Sequence, residues 1–220
     1  MNRLNHILFC ICMMIFFSSC NSDSDDIGTD SLEEISSKEN EEVTFSDPEK
    51  LISYVSTPEN GYYKEKEIDE IKFSALLKPI DYIKAFEKIK TGAANIADDD
   101  DLQYFDLRIE VKDFSMEFLK YNLASTGDYA QRVAYCAYEM QNDIYLIDGN
   151  DTLPCVFYHF ERTFNVVPFG HFILAFSPSK NKEFIRAKTL VYYDKLFNKG
   201  LIKMTFLPHD LIKVPKLINA

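Results

Sequence analysis

The 220-residue sequence has no tryptophan, seven glycines, eight prolines and five cysteines. So few glycines, spread along the chain, form no Walker or dinucleotide-binding loop. Five cysteines are too few for a small disulfide-framed scaffold, and the low Gly and Pro content excludes a low-complexity linker protein. Positive charge is short as well. With 24 Lys and Arg against 35 Asp and Glu, the net charge is −11, which argues against a nucleic-acid binder because phosphate neutralisation needs a basic surface. What remains is ordinary for one folded domain, 46% hydrophobic and 27% charged.

One long apolar run exists, eleven residues from Ile7 to Phe17, preceded by Arg3 and followed by Ser18, Ser19 and Cys20. It falls well short of the roughly 20 residues that span a bilayer and has the layout of a signal peptide. The sequence Phe17-Ser18-Ser19-Cys20 resembles the lipobox of bacterial lipoproteins, although Phe17 stands where Leu is usual. The resemblance implies cleavage before Cys20, diacylation of its sulfur and acylation of the new amino terminus. Residues 1–19 are then the signal peptide, and Cys20 is the lipid anchor to a membrane. Each buried CH₂ of an acyl chain contributes about 0.8 kcal/mol, so several chains anchor stably.

Residues 21–50 hold eleven Asp or Glu against two Lys, leaving residues 51–220 nearly neutral at −3. Such a composition cannot offset its ordering entropy, so residues 20–46 are expected to form a disordered acidic tether ahead of a single domain over 47–220. Within it, Ser22-Asp23-Ser24-Asp25-Asp26 resembles the acidic export signal of Bacteroidota surface lipoproteins. Pro58-Glu59-Asn60-Gly61-Tyr62-Tyr63-Lys64 and Lys78-Pro79-Ile80-Asp81-Tyr82-Ile83 are similar in a general way to segments of Bacteroidota lipoproteins, a likeness that implies no activity.

From Pro48 onward short helices and strands alternate. Ser46-Asp47-Pro48-Glu49 predicts a helix start, running over 48–56. Runs 63–68 and 71–77 read as a hairpin turned at Asp69-Glu70 without glycine. A helix over 79–90 follows, its apolar stripe given by Ile80, Ile83, Phe86 and Ile89. After a loop over 91–101, Phe105, Leu107, Ile109 and Val111 alternate with charged residues as a half-buried strand requires. A short helix is expected over 114–123, and Asp128 as the cap of another reaching Gln141. Strands are expected near 144–147, 153–161, 172–176, 189–193 and 201–207, with an extended strap over 214–218. The pattern predicts an α+β domain, an antiparallel meander with short helices packed on one face.

Candidate chemistry is sparse. Three histidines follow the signal: His159, His171 and His209. No two have metal-ligand spacing. By alternation His159 shares a face with Leu153, Cys155 and Phe157, as a satisfied core imidazole would. His171 with Asp194 and His209 with Asp210 are the conceivable catalytic pairs, without a supporting motif. Paired carboxylates of a glycosidase are also open, since such residues lie far apart in sequence. Asp98 to Asp101 read as a solvated loop before a Ca²⁺ site, because consecutive acids diverge. Asp148-Gly149-Asn150-Asp151 reads as a hairpin turn. Cys136 and Cys155 are either two buried thiols or, in an exported compartment, a disulfide. Tyr62-Tyr63, Tyr192-Tyr193 and Phe157-Tyr158 serve the core or a recognition surface.

These readings imply no metal and no cofactor. They point to a lipid-anchored outer-membrane lipoprotein, exposed at the cell surface, that binds a ligand or serves as an accessory. Alternatives are a tethered hydrolase with dispersed carboxylates, which needs two acids in one cleft, or a structural subunit of an envelope complex. A binding module needs an exposed apolar patch or an open sheet edge.

Overall fold

Asp47 starts the first helix by accepting a hydrogen bond from the Glu49 amide (2.9 Å) ahead of Pro48, whose missing N–H costs nothing at that position. The computed structural model describes residues 34–93, 101–112, 116–162, 166–181 and 183–218. Two short strands, β1 (Glu34–Ser36) and β2 (Glu41–Phe45), precede this helix, α1 (Pro48–Ser56). The hairpin of β3 (Tyr63–Ile68) and β4 (Ile71–Lys78) turns at Asp69, whose φ of 55° is tolerated because a short polar side chain can enter the left-handed region. Helix α2 (Ile80–Thr91) and strand β5 (Gln103–Val111) follow.

Helix α3 (Thr126–Ala134) corrects the expected cap. Ser125 holds that position, and Asp128 reaches back to the Ser125 amide (2.9 Å) in a capping box. The helix widens into a π turn over Tyr135–Glu139 and tightens into a 3₁₀ turn over Met140–Asp143. The expected helix over 114–123 is a single 3₁₀ turn, Phe118–Lys120, with residues 113–115 outside the described ones. The chain then runs through β6 (Ile144–Asp148), β7 (Asp151–Glu161), β8 (Phe169–Phe176), β9 (Phe184–Arg186), β10 (Lys188–Asp194), β11 (Gly200–Phe206), α4 (Pro208–Leu211) and β12 (Lys213–Leu217).

Eight strands form one antiparallel sheet in the order β11-β10-β6-β7-β8-β5-β4-β3. Two meanders, β3-β4-β5 and β6-β7-β8, are joined through the β5–β8 pair, and the molecule is an α+β protein. The sheet curls, so side chains of strands distant in this order meet inside. Phe73 of β4 lies 6.3 Å from Tyr192 of β10, and Phe105 of β5 lies 5.6 Å from Phe206 of β11, centroid to centroid. These four rings, with Leu107, Ile109, Phe172, Leu174, Ile202 and Met204, form the buried core. Helix α1 packs against α2 and buries Leu51 and Val55.

The tether boundary at 46 is corrected. Residues 34–36 pair with β9, and β2 pairs in parallel register with β12 over five positions, Glu41↔Lys213 to Leu217↔Phe45. Val43 and Phe45, on either side of Thr44, supply the apolar side of β2, and Phe45 lies 5.2 Å from the Tyr54 ring. Residues 20–33, with Cys20, lie outside the described ones.

Candidate functional site

Alternation along β4 and β5 sends Ile71, Phe73, Ala75 and Leu77, and Phe105, Leu107, Ile109 and Val111, into the curled sheet. The intervening residues make the outer face, where register aligns Leu76, Asp106, Ile173 and His159 in one row. The next row holds Ser74, Arg108, His171 and Glu161. His171 is therefore directly beside Glu161 and diagonal to Asp106, within the reach of cross-strand neighbours.

The contacts follow from that placement. His171 Nδ1 lies 2.6 Å from Glu161 Oε2, and its Nε2 is 3.4 Å from Asp106 Oδ2, an ion-pair contact without hydrogen-bond geometry. Lys78, diagonal to Asp106 on the other side, places Nζ 2.5 Å from Oδ1. Side chains of Lys78, Asp106 and His171 are nearly buried (12, 10 and 15% exposed), whereas that of Glu161 is 46% exposed. Burial alone would raise the Asp106 carboxyl; the His171 contact and the Lys78 charge outweigh it and hold the group below the ordinary carboxylate range. Burial likewise pushes the His171 imidazole down, and the two carboxylates outweigh it and raise it above 6.5.

A groove of about 480 Å³ runs between this charged row and α2, lined by Ile80, Ile83, Phe86, Tyr104, Ile173 and Glu161 among others. An apolar stripe spaced as Ile80, Ile83, Phe86 and Ile89 ordinarily faces the core, and Ile83 does touch it. Here, however, Asp81, Tyr82 and Ala85 are buried, and Phe86 and Ile89 are 54 and 51% exposed. The helix packs on α1 and β12, where Asp81 Oδ2 accepts the Leu217 amide (2.9 Å), and so the adjacent face turns inward. The apolar stripe is left along the groove.

The other candidates separate. His159 is exposed because a bulge between Cys155 and Phe157 shifts β7 by one residue, after which Tyr158 and Phe160 face inward. His171 does not meet Asp194, which is buried and accepts from the Tyr192 hydroxyl and the amides of Leu196, Phe197 and Lys199. His209 Nε2 is 3.3 Å from Asp210, but Asp210 also binds Lys64 at 3.0 Å, and His209 is largely exposed. Asp148 is buried and accepts from Lys188 (2.7 Å) and Gln103 (3.0 Å), while Gly149 turns the hairpin with φ of 58°. Asp98 to Asp100 lie outside the described residues.

Cys136 and Cys155 are free, buried thiols and not a disulfide. Burial pushes Cys136 up to about 12 and Cys155 up to about 11. Tyr62 and Tyr192 are buried while Tyr193 and Phe157 are half-exposed, as alternation along a strand divides neighbours. The Tyr158 hydroxyl donates to the Cys136 carbonyl.

Three acids line the cleft, Asp106, Glu161 and Glu87, and an imidazole lies between the first two, where a nucleophilic water would have to sit. Sequence reasoning singled out His171 but missed Lys78, Asp106 and Glu161 as its neighbours. The charges alternating with apolar residues in β5 were the available signal. Among the described residues no group of three His, Cys, Asp or Glu is arranged to hold a metal, and no helix is long and apolar enough to cross a membrane.

No protein family and no curated protein matches the chain. Among solved structures, it is similar to a novel protein of unknown function from Burkholderia pseudomallei. The identity is 11%, over 74% of this chain and 84% of that one, with a TM-score of 0.35.

Proposed function

We propose that the protein is a lipoprotein of the bacterial outer membrane, anchored through Cys20 and displayed at the cell surface. Its α+β domain binds a small amphipathic ligand in the α2 groove. The anchoring part is supported by the signal layout, the lipobox-like Phe17-Ser18-Ser19-Cys20 and the acidic run after it. The observation that carries the binding part is the exposed stripe of Phe86 and Ile89 beside a groove with a charged floor. Large exposed apolar side chains next to a concavity with a few polar groups are the usual composition of a ligand site. A hydrolase would use Asp106 and Glu161 as its pair, but Asp106 is held by Lys78 and the His171 imidazole stands between the two carboxylates, which leaves them no shared position for a water.

The test is intact mass together with protease shaving of cells expressing the native protein or Cys20→Ala. An acylated chain beginning at Cys20, released by shaving intact cells, supports the anchor and the surface location. An unacylated soluble chain from the native gene overturns both.

A further inference from the structure

We infer that the groove selects an amphiphile with a cationic, ammonium-type head; this rests on the groove being the binding site. The apolar body is fixed by Ile80, Ile83 and Phe86 on one wall and Ile173 on the other. The head is fixed by which charges are still uncommitted. Lys78 is spent on Asp106 at 2.5 Å, and Asp106 meets His171 through its other oxygen. Glu161 uses Oε2 for His171, which leaves Oε1 as an acceptor on a half-exposed carboxylate. Glu87 lines the groove, and its carboxylate has no ion-pair or hydrogen-bond partner among the described residues. Against these two acids, the one lining cation without a partner among the described residues is Lys90, in the last turn of α2. The groove thus offers uncommitted carboxylate oxygens, Glu161 Oε1 and those of Glu87, beside an aromatic face, the combination that attracts an ammonium group. An anionic head would meet Glu161 and Glu87.

The experiment is calorimetric titration of the chain from residue 21 to 220, at about pH 8 with three probes of equal chain length, each below its micelle concentration: octylammonium, octanoate and octyl glucoside. Octylammonium should bind about tenfold tighter than octanoate, with the glucoside between. Glu161→Gln, with its unfolding midpoint measured alongside to show that the variant is folded at the titration temperature, should bring the two charged probes within about twofold of each other. Phe86→Ser should weaken all three. Equal affinities, or preference for octanoate, overturn the cationic head while leaving the groove as a site. Failure of all three probes overturns the groove itself.

Discussion

Lys199 Nζ sits 2.5 Å from Asp69 Oδ2, joining the β10–β11 turn to the β3–β4 turn although these strands lie at opposite ends of the sheet order. The carboxylate holds the lysine above its ordinary range and is itself held below its own. Asp69 stands largely in solvent, so the pair marks the closure of the sheet without carrying it. Asp69→Asn, which keeps the left-handed turn, should leave the urea midpoint unchanged. Phe206→Ala, which empties the space beside Phe105, should cost about 3–5 kcal/mol in the same measurement.

The Lys78–Asp106–His171–Glu161 cluster predicts a stability window in pH. His171 is raised above 6.5, so its contribution is full below that value and is lost as pH rises through the folded value. Asp106 is lowered from 3.8, so its contribution is present above that value and is lost as pH falls through the folded one. Charged groups facing the imidazole are Asp106, Glu161 and, beside it in register, Arg108. Urea midpoints should peak between about pH 4 and 6.5, and His171→Gln should remove the decline on the alkaline side.

Removing one member of the nearly buried Lys78–Asp106 pair leaves its partner short of a charge. Lys78→Met should destabilise by about 3 kcal/mol, and Lys78→Met with Asp106→Leu should recover most of that loss. Equal losses in the single and double variants would show that the lysine stem, and not the charge, is what matters.

Gly170 of β8 has no side chain because the Phe118 ring occupies the place; a Cβ there would stand 2.3 Å from Cζ. Gly170→Ala should cost about 1–3 kcal/mol, and Phe118→Leu in the same chain should offset part of it. Additive losses would mean that the two positions are uncoupled.

Both thiols are buried and raised, so native protein should resist iodoacetamide at neutral pH and gain two modifications in denaturant. Rapid native labelling at Cys136 would contradict its burial. Phe86→Ser and Ile89→Ser, by contrast, should change stability by less than about 0.5 kcal/mol, because their side chains already face solvent.

Local signals carried much of the fold. Asp47 and Pro48 fixed the start of α1, and strict alternation fixed both faces of β5. Errors arose where a distant partner overrode the local pattern. The stripe of α2 reads as core from its spacing, but packing of the helix on α1 and β12, with the Leu217 amide bound to Asp81, leaves Phe86 and Ile89 outward. His159 reads as buried until the bulge before it exchanges the faces of β7. The candidate site shares this difficulty, because Asp106, Glu161 and His171 come from three strands whose order is set by the long β5–β8 connection. No spacing in the chain announces that meeting.

The parallel pairing of β2 with β12 has a mechanical meaning under the proposed anchoring at Cys20. Tension arriving ahead of Glu34 meets the three register pairs of β1 with β9, then acts along the axis of β2. There the five pairs with the last strand share the load in shear instead of opening one after another. The two ends of the folded chain are thereby clamped side by side, and a drag force on the domain is resisted where the sequence is most acidic and looks least able to hold anything.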